Sequence, residues 1–463
     1  MKKIEKISLL KKDGVNYLIP FMLVTCCFAL WGFANDITNP MVKAFSKIFR
    51  MSVTDGSLVQ VAFYGGYFCM ALPAAIFIRK YSYKAGIMLG LGLYALGALL
   101  FLPAKLTESF YPFLIAYFIL TCGLSFLETS CNPYILTMGP EETATRRLNM
   151  AQAFNPIGSL CGMFVAMTFI QNRLSPLTTE DRALLDDAEF AALRNSDLDV
   201  LISPYLAIGL IILLMLIVYF FVSMPKNGDQ QHDINFGPTM SRLWHSHHYR
   251  EGVVAQFCYV GAQIMCWTFI IQYGTRLLLN EGDYTQLEHW IGSMLGIDTS
   301  GAMTEKNAEV LSQGYNILAM CGHCVGRFIG TYLLKYLKPG RLLLILGILS
   351  ALLVCGVIAS RSRSGLYCLV GVSFTMCVMF PTIYGIALER MGEDAKFGAA
   401  GLIMAILGGS VLPPVQARII DQGYLWGMPA TNVSFILPLI CFVVIAVYGY
   451  RTYRRVVTGR VGE

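Results

Sequence analysis

YLIPFMLVTCCFALWGFANDITNP, residues 17–40, opens as a long, almost wholly apolar run and then sets Asn35, Asp36 and Asn39 ahead of a proline. A run of this length crosses a hydrocarbon core of about 30 Å as a helix. The same pattern recurs along the chain, and the expected spans are 17–43, 56–78, 85–103, 109–138, 149–171, 203–224, 251–277, 309–334, 341–360, 364–388, 397–419 and 432–451. In lipid every backbone polar group needs an internal partner, so these spans are helices. With 463 residues, 56% of them hydrophobic and only 14% charged, and a mean hydropathy of +0.57, the chain has too little charge to cover a water-soluble fold. The expected fold class is an all-α membrane protein with twelve transmembrane helices in two six-helix halves. Residues 1–224 form the N-terminal half with an outside helical loop at 172–202, residues 225–250 a cytoplasmic linker, and residues 251–463 the C-terminal half.

Basic residues set the expected orientation. Lys2, Lys3, Lys6, Lys11 and Lys12, the Arg79-Lys80-Lys84 loop, Arg146-Arg147, and Arg451, Arg454, Arg455 and Arg460 fall on one side, while the loops 172–202 and 281–308 are acidic. Both termini are therefore expected in the cytoplasm, on a bacterial-type inner membrane. The start is too charged to read as a cleaved signal peptide. The net charge of +6 follows from this bias, and no nucleic-acid partner is expected. The expected partners are the bilayer and a small solute, and the expected state is a monomer.

Most of the fourteen cysteines lie inside apolar spans, where Cys acts as a small hydrophobe. The CGHCVG stretch (321–326) lacks a second ligand pair, so no metal site is expected. The linker holds four of the six histidines, again without a spaced cysteine or acidic partner, and reads as solvated. In SPLTTEDRALLDDAEFAALRN (175–195), Thr178 is expected to cap a small extramembrane helix. The loop GPEETATRR (139–147) reads as a surface salt-bridge latch. Corresponding loops follow the second and eighth spans (RKYSYKAG and KYLKPGR), and the fourth and tenth. This weak internal echo fits a duplicated transporter.

An ionisable group in hydrocarbon is costly and usually faces the bundle interior. Asp36 shares one helix face with Asn35 and Asn39. In CGLSFLETSCNPYI (122–135), Glu128 and Asn132 stand at i, i+4, and in the fifth span Asn149, Gln152 and Asn155 form an i, i+3, i+6 row. Three of these clusters end in Asn-Pro, at Asn39, Asn132 and Asn155, which points to kinked helices lining a wet cavity. The second half offers Gln256, Gln263, Gln272, Asn316 and Arg327, the last either as a strut between helices or as a ligand contact. Trp267, Phe380 and Tyr384 are either core aromatics or faces on which a sugar stacks. There is no nucleophile–base pair and no cluster of metal ligands, so no enzyme and no cofactor are expected.

LWGFAND, AFYGGYF, RKYSYKAG, LETSCNP, RRLNMAQAFNPIGS, AQFCYVGAQ, GRFIGT and FPTIYG together resemble the fucose:proton symporters of the major facilitator superfamily, over residues 17–450. The resemblance implies symport of L-fucose or a related hexose with a cation, H+ or alternatively Na+, by alternating access. It assigns proton coupling to Glu128 and sugar contacts to Gln152 and Asn155. The first-span motif departs from the family pattern, which has Asn where Asp36 stands and the coupling acid where Asn39 stands; the acid here lies one turn away on the same face. Some members carry Tyr at the position of Phe380. The expected site is then Glu128 and Asp36 for the proton, with Asn35, Asn39, Asn132, Gln152, Asn155, Gln263, Trp267, Arg327, Phe380 and Tyr384 for the sugar. A sugar sensor or a drug exporter of the same fold is the alternative, and an amide-rich face argues against the exporter.

Overall fold

The structure, a computed structural model, describes residues 9–12, 15–38, 41–51, 58–165, 169–170, 173–175, 177, 181–182, 184–225, 236–389 and 391–458. Asn39 and Thr178 lie outside them. Two compact units emerge, Met1–His245 with Arg390–Met404, and Ser246–Glu389 with Ala405–Glu463. Apart from two antiparallel ribbons of two-residue strands, the regular structure is helical.

In the first unit the chain forms α1 (Leu18–Thr38), α2 (Met41–Ile48), α3 (Leu58–Lys80), α4 (Tyr83–Leu99), α5 (Phe101–Leu106), α6 (Tyr111–Thr137), α7 (Ala144–Gln152), α8 (Asn155–Val165), α9 (Asp187–Phe221) and α10 (Phe236–His245). The second contains α11 (His247–Glu281), α12 (Gln286–Leu295), α13 (Glu305–Leu333), α14 (Pro339–Ala359), α15 (Arg363–Thr375) and α16 (Met379–Ala387). After α17 (Ala395–Met404), which groups with the first unit, it resumes with α18 (Gly408–Ile420), α19 (Ala430–Ser434) and α20 (Ile436–Thr458). Among the described residues, ten helical stretches are long and apolar enough to cross a membrane.

Two expected spans fall outside that set. The fifth is split between α7 and α8 by a turn at Ala153 and Phe154, immediately before Asn155-Pro156, where proline cannot continue the ladder. The eighth, α13, has 29 residues, enough to span, but it carries Ser312, Asn316, His323 and Arg327.

One other expectation changes, and two gain detail. The start of the expected outside helix lies outside the described residues; Asp181 and Arg182 are helical, and α9 runs unbroken for 35 residues from Asp187 through the sixth span. Its cap is Asp186, whose carboxylate accepts from the Glu189 N–H at 2.7 Å. A buried Arg182–Asp197 pair at 2.6 Å anchors its first turns. The linker is helical over α10, with Ser246 capping α11 by accepting from the Tyr249 N–H. Lastly, the 139–147 loop is no surface latch, because Arg147 is fully buried. Its guanidinium donates to the carbonyls of Ile135 (2.8 Å) and Leu136 (2.7 Å), satisfying the orphan acceptors at the end of α6.

Glycine sets the closest approach in the first unit. A Cβ on Gly32 would stand 2.0 Å from the Asn155 carbonyl oxygen, and one on Gly158 1.8 Å from that of Ala29, so α1 and α8 pack backbone to backbone. Large apolar side chains such as Leu214, Phe221, Leu352 and Val443 are left exposed, as lipid contact requires.

Candidate functional site

In the first unit, α6 is the most enclosed candidate span, with 78% of its apolar window buried. Glu128 sits at its middle, 2% exposed, so its carboxyl faces protein and not acyl chains. Asn132, one turn on, is fully buried and donates through Nδ2 to the Glu128 carbonyl at 3.0 Å. That leaves its Oδ1 to accept from Gln152 Nε2 at 2.7 Å. The spacing that put Glu128 and Asn132 on one face, together with the break after Gln152 that ends α7, thus joins acid and amides across two helices. Glu128 Oε2 has no hydrogen-bond partner among the described residues, and neither has the buried hydroxyl of Thr129. A buried carboxyl oxygen without a partner is costly unless it serves a proton or a ligand.

The other first-unit candidates are placed differently. Asn155 donates to the Phe28 carbonyl at 3.2 Å and Ser159 to that of Gly32 at 3.3 Å, so both tie α8 to α1. Asn149 donates to Thr145 one turn back in its own helix. Asn35 and Asp36 are half-buried near the end of α1. The Asp36 carboxylate lies close enough to act electrostatically on the Tyr64 phenol of α3.

The second unit has its own polar cluster. Trp267 of α11 donates its indole N–H to Ser373 Oγ at 3.1 Å and meets His323 of α13 edge to face at 5.3 Å. His323 is 2% exposed and bonds through Nδ1 to the Ser373 carbonyl at 3.0 Å, so its N–H is committed to α15. One turn on, the Arg327 guanidinium is 5% exposed and donates to the Cys377 carbonyl at 2.7 Å, the contact a strut between α13 and the turn after α15 would make. Phe380 is half-buried and stacks on Tyr384 at 6.3 Å, while Tyr384 itself is fully buried. Gln263 is half-buried on α11. Gln256, two turns before it, is fully buried, and its amide oxygen and nitrogen both lack partners among the described residues.

Sequence reasoning missed Tyr64, Tyr67 and His323 as parts of these clusters. The signal for the tyrosines was present in AFYGGYF, which places two phenols at i, i+3 on one face of a membrane helix. His323 was masked by the flanking cysteines.

The Major Facilitator Superfamily domain pattern matches residues 24–414. The chain is 48% identical over 446 residues to the L-fucose-proton symporter of Haemophilus influenzae, covering 95% of this chain and 97% of that one. It is 31% identical over 438 residues to the L-fucose-proton symporter of Escherichia coli, covering 94% and 93%. A crystal structure of FucP, a major facilitator superfamily transporter in the outward conformation, superposes with a TM-score of 0.81 at 31% identity, covering 94% of this chain and 99% of that one. The chain belongs to the major facilitator superfamily, in the family that holds the L-fucose-proton symporters.

Proposed function

We propose that this protein is a secondary active transporter that carries L-fucose inward with a proton, by alternating access. The observation that carries the reading is Glu128, buried at mid-helix with no partner on Oε2 and with the Asn132–Gln152 amide pair beside it. A carboxylate in a dehydrated interior is far costlier than the neutral acid. Binding a proton therefore lowers the cost of occluding the loaded site, and losing it raises that cost, so proton and sugar travel together. The amides supply donors and acceptors matched to sugar hydroxyls. Asp36, on the face where the family places its first-span acid, is the second proton carrier, and Asn35 and Asn39 add sugar contacts.

In the second unit, Gln263, Trp267, Phe380 and Tyr384 are assigned to the sugar, and Arg327 holds the cluster in place. The protein works as a monomer in the inner membrane with both termini in the cytoplasm, and needs no cofactor beyond the coupling ion. Close identity to two L-fucose-proton symporters supports fucose over another hexose and H+ over Na+.

The test is uptake of radiolabelled L-fucose, galactose, glucose and N-acetylglucosamine into vesicles, with an imposed pH gradient, with an imposed sodium gradient, and with neither. Fucose accumulation that follows the pH gradient is expected. Accumulation that follows sodium reassigns the ion, and a panel with no gradient-dependent uptake points to a sensor or an exporter.

A further inference from the structure

The sequence AFYGGYF puts Tyr64 and Tyr67 one turn apart on α3, the helix packed on α6. The contact is close: a Cβ on Gly66 would stand 2.8 Å from Thr121 Cβ, and Ser125 Oγ donates to the Tyr67 carbonyl at 3.1 Å. Ser125 is one turn from Glu128, so Tyr67 lies against the stretch of α6 that carries the acid. Tyr67 is 4% exposed, and its ring is fixed by an edge contact to Phe63 at 5.7 Å. Its hydroxyl nevertheless has no hydrogen-bond partner among the described residues, the same condition as Glu128 Oε2. The two buried orphan polar atoms stand on facing turns, and each alone costs about 1–3 kcal/mol. The Glu128 carboxylate also acts electrostatically on the Tyr67 phenol, and so does the Tyr64 phenol one turn before it.

We propose that Tyr67 is the positioning residue for the Glu128 proton. The inference rests on the proton-coupled reading above and names the group that tunes it. With Glu128 ionised, the phenol O–H donates to Oε2, directly or through one water; with Glu128 protonated, Oε2–H donates and the phenol oxygen accepts. No covalent bond changes beyond the proton's arrival and departure at Glu128.

The other titratable groups on the helices of this unit leave this role open. Tyr94 of α4 acts on Tyr67 and donates to the Leu30 carbonyl at 3.0 Å. Cys131 and Cys27 form a thiol pair beside the acid, from α6 and α1. Lys105 of α5 is paired with Asp199. Arg147 of α7 is held by carbonyls at the end of α6, and Lys396 of α17 bonds the Ile78 carbonyl at 3.4 Å. None supplies a donor to Oε2.

The test is infrared titration of the full-length protein in lipid vesicles without sugar, so it stands apart from any failure of fucose uptake. The carboxyl C=O band that Glu128→Gln removes is followed against pH. Tyr67→Phe keeps the ring and its contact with Phe63. It is expected to move that band to higher frequency and its midpoint by about one pH unit toward higher pH, a tenfold change, since the carboxylate loses a donor. Incorporating 3-fluorotyrosine at position 67, a stronger donor, is expected to move the midpoint the other way. The proposal is overturned if both changes at position 67 leave the band where it is in the wild type, or if Glu128→Gln removes no band at all.

Discussion

Two glutamates in this protein are buried to the same degree and are treated in opposite ways. Glu288, at the start of α12 in the second unit, is fully buried. It accepts from the Thr285 N–H at 2.7 Å in a capping box, from Tyr315 at 3.1 Å, and from Arg363 Nε at 2.8 Å, with Glu281 also on Arg363. Both of its oxygens are used and its charge is matched. Glu128, 2% exposed in the first unit, has an oxygen with no partner. A structural carboxylate is saturated because an unsaturated one would cost several kcal/mol for nothing. In the proposed function, the under-satisfied carboxyl is the one left to change protonation state. The contrast, more than burial itself, separates the acid that works from the acid that holds.

The sharpest way to break this contrast is to neutralise each acid in turn. Glu128→Gln keeps shape and hydrogen-bonding capacity while removing the proton site. Gradient-driven fucose accumulation is expected to fall to the level seen with no gradient, while exchange of labelled for unlabelled sugar persists, with unfolding temperature in detergent near that of the wild type. A variant that still concentrates fucose against its gradient would transfer the coupling role to Asp36. Glu288→Gln should do the reverse. It leaves Arg363, 15% exposed, with only Glu281 as a charge partner, and is expected to cost about 2 kcal/mol of stability. Thermal unfolding reads that loss, and coupled uptake per folded molecule should be unchanged.

How much of this contrast the sequence carried can be argued from single elements. The spans are legible because the bilayer demands about 20 apolar residues of each, a length that few other constraints imitate. The adjacency of Glu128, Asn132 and Gln152 is legible for the same kind of reason: helical spacing fixes which side chains share a face, and a proline ends each motif. Arg147 was misread because its partners are backbone groups, and the sixth span begins earlier than expected, at Asp187. The carbonyls of Ile135 and Leu136 leave no mark in a sequence, and neither does the point where a long helix begins. Tyr67 was passed over for a third reason, although AFYGGYF showed its helix face. A tyrosine in an apolar span reads as a ring, and only the packing of α3 on α6 reveals that its hydroxyl has been left without a partner.

A smaller effect sharpens the comparison among amides. Gln152 donates across to Asn132 beside the acid, whereas Asn432 of α19 donates to the carbonyls of Val357 (3.1 Å) and Ser360 (2.7 Å) at the end of α14. Gln152→Ala is expected to weaken fucose binding about tenfold, the loss of one hydrogen bond to sugar, and to change stability by less than about 1 kcal/mol. Asn432→Ala should lower the unfolding temperature and leave the sugar affinity alone. Equal effects of the two substitutions on binding would remove Gln152 from the site.

The smallest expected effect comes from an acid that is paired but wet. Asp394, in the turn before α17, accepts two hydrogen bonds from Arg242 of α10, each 2.7 Å, with Arg79 and Thr239 close by. Hydrogen bonding from Arg242 is the main cause that holds its carboxyl below the usual 3.8. A carboxyl depressed by folding adds stability above its unfolded value and loses it as the pH falls through the folded one. Arg242 is 57% exposed on its side chain, so solvent screens the pair and the contribution is below about 1 kcal/mol. Arg242→Ala should therefore lower the unfolding temperature slightly at neutral pH, and the gap from the wild type should narrow as the pH drops below 3.8. A gap that widens with acidification would mean that Arg242 acts through something other than Asp394. The three acids then form a series in which partner supply, not sequence, sets the role: Glu288 saturated and dry, Asp394 saturated and wet, Glu128 dry and left with an oxygen to spare.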